Sequence, residues 1–374
     1  MPEMKVAIVH YWLVGMRGGE KVLEALCELY PDADIYTHVA VPENLTDRIR
    51  KHKIVETWIA RLPLARKFYQ KYLPLMPLAL ESLDLSEYDL VISSEAGPAK
   101  GVITSPDSLH ICYCHSPMRY IWDQYPVYRE QAGFLTRLVM PLLFHYLRIW
   151  DVASAARVDD FIANSHFIKR RIAKVYARDA SVIYPPIDIS DFGGEDAEIS
   201  DFYLYAGELV SYKRPDLVIE AFNKSGKKLV VIGGGSEKRK LEKSSKNNIT
   251  FLGRVEFDVL KLHYSTCKAL IFPGVEDFGI IPLEVMASGR PVIAYAKGGA
   301  LETVIDGVTG VLFESQNVAS LEEAISRFES DAKKFEKTVL ERHAQKYSKS
   351  IFKETFGRFI SDAVSHRFKN RLFF

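Results

Sequence analysis

Short runs of valine, isoleucine, leucine and aromatic residues recur along the chain, and stretches with helical spacing separate them. In the first half the runs are KVAIVHYW, DIYTHV, DLVISS, LHICYCH, DFIANS and ASVIYPP, with GEKVLEALCELY and SHFIKRRIAKVYA among the helical stretches. Near-continuous apolar runs of this kind are what strands of a parallel sheet look like when both faces are covered. A second alternating series follows: FYLYAG, RPDLVIEAFNKS, KLVVIGGG, SEKRKLEKSS, ITFLGRV, FDVLKLHYSTC, ALIFPG and RPVIAYA. The order predicts two doubly wound α/β domains in tandem, at residues 1–187 and 202–350. Residues 188–201 are polar, acidic and glycine-containing, as a linker would be, and 351–374 form a helical tail that can pack back on the first domain.

Length agrees with this division, because 374 residues suit two domains that each bury a core. The formal net charge of +1, from 49 basic and 48 acidic residues, argues against a general nucleic-acid binder. Four irregularly spaced cysteines suit reduced thiols in a cytoplasm; Cys112, Cys114 and His115 in CYCH lack the second pair that a zinc site needs. The start of the chain has no signal-peptide layout. The most apolar stretch, FLTRLVMPLLFHYLRIW, is too short to span a bilayer and is interrupted by Arg137, Pro141 and His145.

The chemistry concentrates in FPGVEDFGIIPLEVMASGRPVIAY, at residues 272–295, where two glutamates stand eight apart between apolar runs. Pro282 suits the first turn of a helix and Gly289 its end, which puts Glu276 on a loop and Glu284 in the first helical turn. Loops at the carboxyl ends of parallel strands are where such sheets bind ligands, and free N–H groups around Gly279, Ile280 and Ile281 can meet a phosphate. The plainer reading has Glu284 answering the helix dipole and Glu276 as a solvated charge. Gly15, Gly18 and Gly19 follow the first strand without the G-x-G-x-x-G spacing, and VVIGGGSE reads as a tight strand-to-helix turn. Asp32 and Asp34 have D-x-D spacing but precede a strand, where an acidic turn is the ordinary explanation.

In order along the chain, GELVSYKRPDLVIEAF, LVVIGGGSE, ITFLGRV and LIFPGVEDFGIIPLEVMASGRPVIAYAKGGALETVIDGVTGVLF strongly resemble the retaining glycosyltransferases of family 4 with the GT-B fold. Within that family the likeness is to bacterial mannosyltransferases of surface polysaccharides, O-antigen and exopolysaccharide, and it extends through YCHSPMRYIWDQY and FIANSHFIKRRIAKVY. The resemblance implies two Rossmann-like domains facing across a cleft, with acceptor bound by the first and sugar nucleotide by the second. It implies that Glu284 holds the ribose hydroxyls, Glu276 a hydroxyl of the donor sugar, and the backbone from Phe278 through Gly279 and Ile280 to Ile281 the sugar and diphosphate. Lys213 matches the lysine that neutralises the diphosphate, His115 the histidine that contacts the transferred sugar, and Gly18 and Gly19 the glycine-rich loop. One departure stands out. Where the family often has an arginine after a glycine, this chain has Glu208, and Arg214, Arg17 and Arg254 are the cations that can supply the missing charge.

The expectation is therefore a cytoplasmic, metal-independent enzyme without a cofactor, moving mannose from GDP-mannose to a lipid-linked glycan with retention. The alternatives are another donor such as UDP-glucose, or a catalytically weakened glycan-binding or scaffold subunit, which Glu208 suggests. Residues 58–80, WIARLPLARKFYQKYLPLMPLAL, interleave Arg61, Arg66, Lys67 and Lys71 with apolar residues, as does the tail SHRFKNRLFF. Such a mix suits peripheral contact with an anionic membrane, and it equally suits a helix covering the first domain's core.

Overall fold

A computed structural model describes residues 4–193 and 197–371. Residues 194–196 of the expected linker and 372–374 of the tail lie outside the described residues. The chain divides into two compact units: one runs to Pro185 and takes in the chain from Phe352 onward, and the other is Pro186–Ile351.

In the first unit the strands are β1 (Val6–His10), β2 (Asp34–Thr37), β3 (Ile54–Glu56), β4 (Leu90–Glu95), β5 (Leu109–Cys114), β6 (Asp160–Ala163) and β7 (Ser181–Val182). They form one parallel sheet in the order β3-β2-β1-β4-β5-β6-β7. Both faces are buried. Ile8, Ile92 and Ile111 meet Leu23 and Leu26 of the helix Gly18–Leu29 together with Phe352 and Phe356 of the C-terminal helix Lys349–Arg371. On the opposite face Ala7, Val9 and Val91 join Met140, Phe144 and Leu147 of the helix Phe134–Ala155. The expected run ASVIYPP yields a strand of only two residues, because two prolines follow and lack the N–H that a ladder needs. β3 has no counterpart among the expected strands: it is a half-buried edge of three residues, too short to show a period.

In the second unit β8 (Tyr203–Ala206), β9 (Leu229–Ile232), β10 (Ile249–Gly253), β11 (Leu270–Phe272), β12 (Val292–Tyr295) and β13 (Gly310–Phe313) form a parallel sheet ordered β10-β9-β8-β11-β12-β13. The helices Pro215–Ser225 and Val318–Asp331 cover one face through Leu217, Phe222, Leu321 and Phe328. Taken from its own first strand, each sheet runs 3-2-1-4-5-6, the doubly wound order, and the first adds β7 at its far edge. The direction of winding reverses between β1 and β4 in one unit, and between β8 and β11 in the other.

A charged cluster lies at the carboxyl end of β4. Lys100, 0% exposed, reaches Glu95 at 3.2 Å and is paired with Asp151 of the helix Phe134–Ala155. Trp122 donates to Asp151 at 2.7 Å and Tyr176 at 3.1 Å. Burial, opposed by Lys100, pushes the Glu95 carboxyl up to about 7. One cation thus ties a strand end to a helix across the core. Removing it strands a carboxylate in a dry site, so Lys100→Met is expected to cost about 3–5 kcal/mol. Chemical denaturation followed at the tryptophans, three of which lie in the clusters on this side of the sheet, checks this; an unchanged midpoint would refute it.

Candidate active site

The second unit brings its chemistry to the point where its winding reverses. The turn after β8 begins at Gly207, whose φ of +149° favours glycine, passes Glu208 and reaches Lys213 in the short 3-10 turn Ser211–Lys213. The loop after the neighbouring strand β11 carries Glu276. The two side chains meet: Lys213 Nζ lies 3.0 Å from Glu276 Oε1, and both are about four-fifths buried, at 20% and 21% exposure. A Cβ on Gly274 would come within 3.0 Å of the Lys213 Cα, so a residue without a side chain is what lets the loop close on the lysine. Burial opposes the charge on Lys213, but Glu276, Tyr212 and Glu208 outweigh it and hold the ammonium above its ordinary pKa. The lysine is a fixed cation.

The helix that follows runs Ile280–Ala287, with Gly279 at its N-cap in the left-handed region at φ +92°. It begins two residues before Pro282, so Glu284 is its fifth residue and lies beyond the first turn. This corrects the sequence expectation and removes the helix-dipole explanation for Glu284, since the first turn holds no acidic residue. Glu284 instead accepts from the buried Tyr264 hydroxyl at 3.4 Å. A Cβ on Gly207 would sit 3.9 Å from Ile281 Cδ1 and 4.0 Å from Lys213 Nζ, which brings the helix start, the lysine and the β8 turn to one spot. The amides of Ile280 and Ile281 open that helix and lack a partner four residues back. Phe278 is 3% exposed and packs on Tyr347, so only its backbone can serve a ligand.

The three candidate arginines part company. Arg214 follows Lys213 but turns to Asp216 through three 3.1 Å bonds and to Gln316 at 3.2 Å. Arg17 belongs to the first unit, where its amide donates to Glu20 at the start of the helix Gly18–Leu29. Arg254 is exposed, with its Nε 3.5 Å from where a Cβ on Gly234 would be, and it has no hydrogen bond or ion pair among the described residues. Gly233 and Gly235 are explained by packing: their absent Cβ atoms would fall 1.8 Å from the Gly207 carbonyl and 2.3 Å from the Leu209 carbonyl. Asp34 opens β2 rather than preceding it, and it accepts from Lys53 at 2.9 Å and from Tyr88, which ties it into the first unit's own structure.

In the first unit His115 follows β5, and β1 pairs with β4 so that His10 stands opposite Ser94. Ser94 Oγ lies 3.1 Å from His10 Nδ1 and 2.9 Å from His115 Nε2. His10 Nε2 in turn lies 3.8 Å from Glu20. A line of polar groups therefore runs Glu20, His10, Ser94, His115 at that unit's own reversal point. His10 and Ser94 escaped the sequence reading because nothing in the chain gives strand register. Gly19 fits against Tyr11, whose hydroxyl lies 2.4 Å from where a Cβ would be; Gly18 opens the helix beside it. Burial, with His10 adjacent, pushes the His115 pKa down to about 3.

A family model described as Glycosyltransferase Family 4 matches residues 16–191, and one described as Glycosyl transferases group 1 matches 190–346. The chain belongs to glycosyltransferase family 4. It is 30% identical over 207 residues to the O-antigen chain mannosyltransferase RfbU of Salmonella typhimurium, covering 49% of this chain and 57% of that protein. It is 28% identical over 253 residues to the alpha-1,3/1,6-mannosyltransferase ALG2 of Saccharomyces cerevisiae, covering 53% and 48%. The chain thus spans about half the length of these curated relatives. Among solved structures, sucrose-phosphate synthase of Thermosynechococcus elongatus superposes with a TM-score of 0.73 at 18% identity, over 97% of this chain and all of that one. Anabaena HepE in complex with UDP and glucose gives 0.71 at 16%, over 96% and 100%. These likenesses establish the GT-B fold of this family 4 chain.

Because burial keeps His115 neutral to about pH 3, its ring is expected not to titrate between about pH 8 and about pH 5, where an ordinary histidine would. Histidine NMR shifts check this, and a midpoint near 6.5 at His115 would overturn it.

Proposed function

We propose that this family 4 chain is a metal-independent mannosyltransferase that moves mannose from GDP-mannose to a lipid-linked oligosaccharide with retention of configuration, at the cytoplasmic side of a membrane. The observation that carries the reading is the Lys213–Glu276 pair beside the start of the helix Ile280–Ala287. A departing nucleoside diphosphate gathers negative charge, and a fixed ammonium with oriented amides stabilises that charge as it forms. Lys213 takes the diphosphate, and the amides near Gly279, Ile280 and Ile281 share it. Glu276 accepts from a hydroxyl of the sugar, Glu284 from the ribose, and neutral His115 hydrogen-bonds the transferred hexose. Arg254, free of ion pairs among the described residues, supplies the charge that Glu208 replaces; Arg214, held by Asp216 and Gln316, contributes less. Mannose as the sugar is supported by the similarity to RfbU and ALG2. A UDP-hexose donor is the second reading, favoured by the fold shared with HepE, a protein seen with UDP and glucose.

The deciding experiment is a thermal-shift panel of GDP, UDP and their sugars, since a specific site at about 100 times its dissociation constant adds about 2.7 kcal/mol. GDP and GDP-mannose are expected to raise the midpoint and UDP not to; the reverse establishes the second reading. Glu284→Ala should weaken nucleotide binding by about 1.5–3 kcal/mol, whereas Glu276→Ala should chiefly lower turnover. Unchanged nucleotide affinity in Glu284→Ala would remove its ribose role.

Activity is expected to survive EDTA, and Lys213→Ala should cut turnover by about a hundredfold or more. Activity lost to EDTA and restored by manganese, with Lys213→Ala unimpaired, would place the phosphate site elsewhere.

A further inference from the structure

The helix Phe134–Ala155 is apolar on two opposite faces. Met140, Phe144, Leu147 and Trp150 enter the core under the first unit's sheet. On the other side Leu135, Leu138, Leu142 and Ile149 are 76, 70, 80 and 58% exposed, with Phe134 at 83% and Tyr146 at 48%. From Leu135 through Tyr146 to Ile149 these residues stand three or four apart, which makes one stripe along the helix. Contiguous apolar patches of this kind are uncommon on soluble monomers unless something covers them.

The charges name the partner. The exposed ionisable residues on this helix are Arg137 and His145, and its one carboxylate, Asp151, is buried on Lys100. Arg148 turns inward to the Ile121 carbonyl and the Tyr125 ring. The outer side of this helix is apolar, carries the cation Arg137 and has no exposed carboxylate of its own, which complements an anionic lipid surface. A second copy docked on the same face would bring Arg137 no carboxylate from that helix. No helix among the described residues is long and apolar enough to cross a membrane, so such a helix would lie in the interface.

We propose that this outer face docks on an anionic bilayer, its leucines reaching below the headgroups and Arg137 meeting lipid phosphate. The inference deepens the proposed lipid-linked acceptor, on which it rests for its purpose, and it moves the main membrane contact away from residues 58–80. There Arg66 is tied to Glu56 at 3.1 Å and to the Ala40 carbonyl at 3.0 Å, while Lys67 and Lys71 lie over the Phe68 ring.

The test is flotation of the full chain with vesicles of phosphatidylcholine and phosphatidylglycerol in equal parts, against phosphatidylcholine alone, at low salt. The wild type should float with the anionic vesicles. The triple variant Leu135→Ser, Leu138→Ser, Leu142→Ser should partition at least about a hundredfold less, because each exposed leucine loses its inserted carbons. These positions are solvent-facing, so the variant's melting midpoint and its thermal shift with GDP should match the wild type. The proposal is overturned if the wild type stays in solution or if the triple variant floats undiminished. It is overturned equally if the wild type without lipid is a dimer that the triple variant dissolves, or if Arg61→Ser, Lys67→Ser, Lys71→Ser abolishes flotation while the leucine variant retains it. A nucleotide panel without response beside intact, leucine-dependent flotation would sink the donor reading and support the membrane face.

Discussion

The ion pair between Lys213 and Glu276 exists because β8 and β11 are neighbours in a sheet although two strands, β9 and β10, separate them in the chain. The first connections wind to one side and the later ones to the other, so the loops leaving β8 and β11 open at the same edge with no helix lying over the gap between them. Two residues more than sixty positions apart are thereby held at 3.0 Å by backbone geometry. The first unit repeats the constraint with different chemistry, setting His10 opposite Ser94 across β1 and β4.

Several glycines acquire a meaning there that differs from a phosphate cradle. Gly207 has a left-handed-side φ and lies under Lys213, while Gly233 and Gly235 are pressed against the turn that contains it. Gly299 donates to the Glu276 carbonyl at 2.9 Å, and its Cβ would fall 2.3 Å from Phe278. The loop bearing Glu276 is thus clamped from the β12 side by backbone alone. Side chains at these positions would push apart the segments that fix the ion pair, so the glycines position the site without touching a ligand.

Both sheets were legible in the sequence because buried parallel strands leave dense apolar runs that no other element of that length needs. Glu276 and Gly279 were legible too, since a strand, a loop and a helix start in that order leave few places for them; Lys213, in the turn after another strand, stood out only through the family resemblance. The exact start of the helix was not: proline is tolerated throughout the first turn, where its missing N–H breaks no intrahelical bond, and a shift of two residues moved Glu284 out of that turn. Arg214 and Arg254 illustrate a second limit, because adjacency in sequence says nothing about which way a long side chain turns. The helix Phe134–Ala155 illustrates a third. A buried leucine and an exposed one are the same letter, and only its packing shows that half of its apolar residues face water.

Lys213 and Glu276 are coupled in a way that bears on how each is assigned a role. In the absence of donor, Glu276 is the main opposing charge for an ammonium that burial would otherwise drive toward its neutral form. Glu276→Ala therefore removes a sugar contact and also weakens the reason for Lys213 to stay charged and in place, so its lost turnover reports both. Glu276→Gln keeps an acceptor for the sugar hydroxyl while deleting the charge. A double-mutant cycle of Glu276→Gln with Lys213→Ala is expected to give a coupling of about 0.5–3 kcal/mol in transition-state stabilisation, the range for residues in direct contact. Additive effects of the two substitutions on kcat/KM would show that the pair acts as two independent contacts, and that Glu276 contributes nothing to the charge opposite the diphosphate.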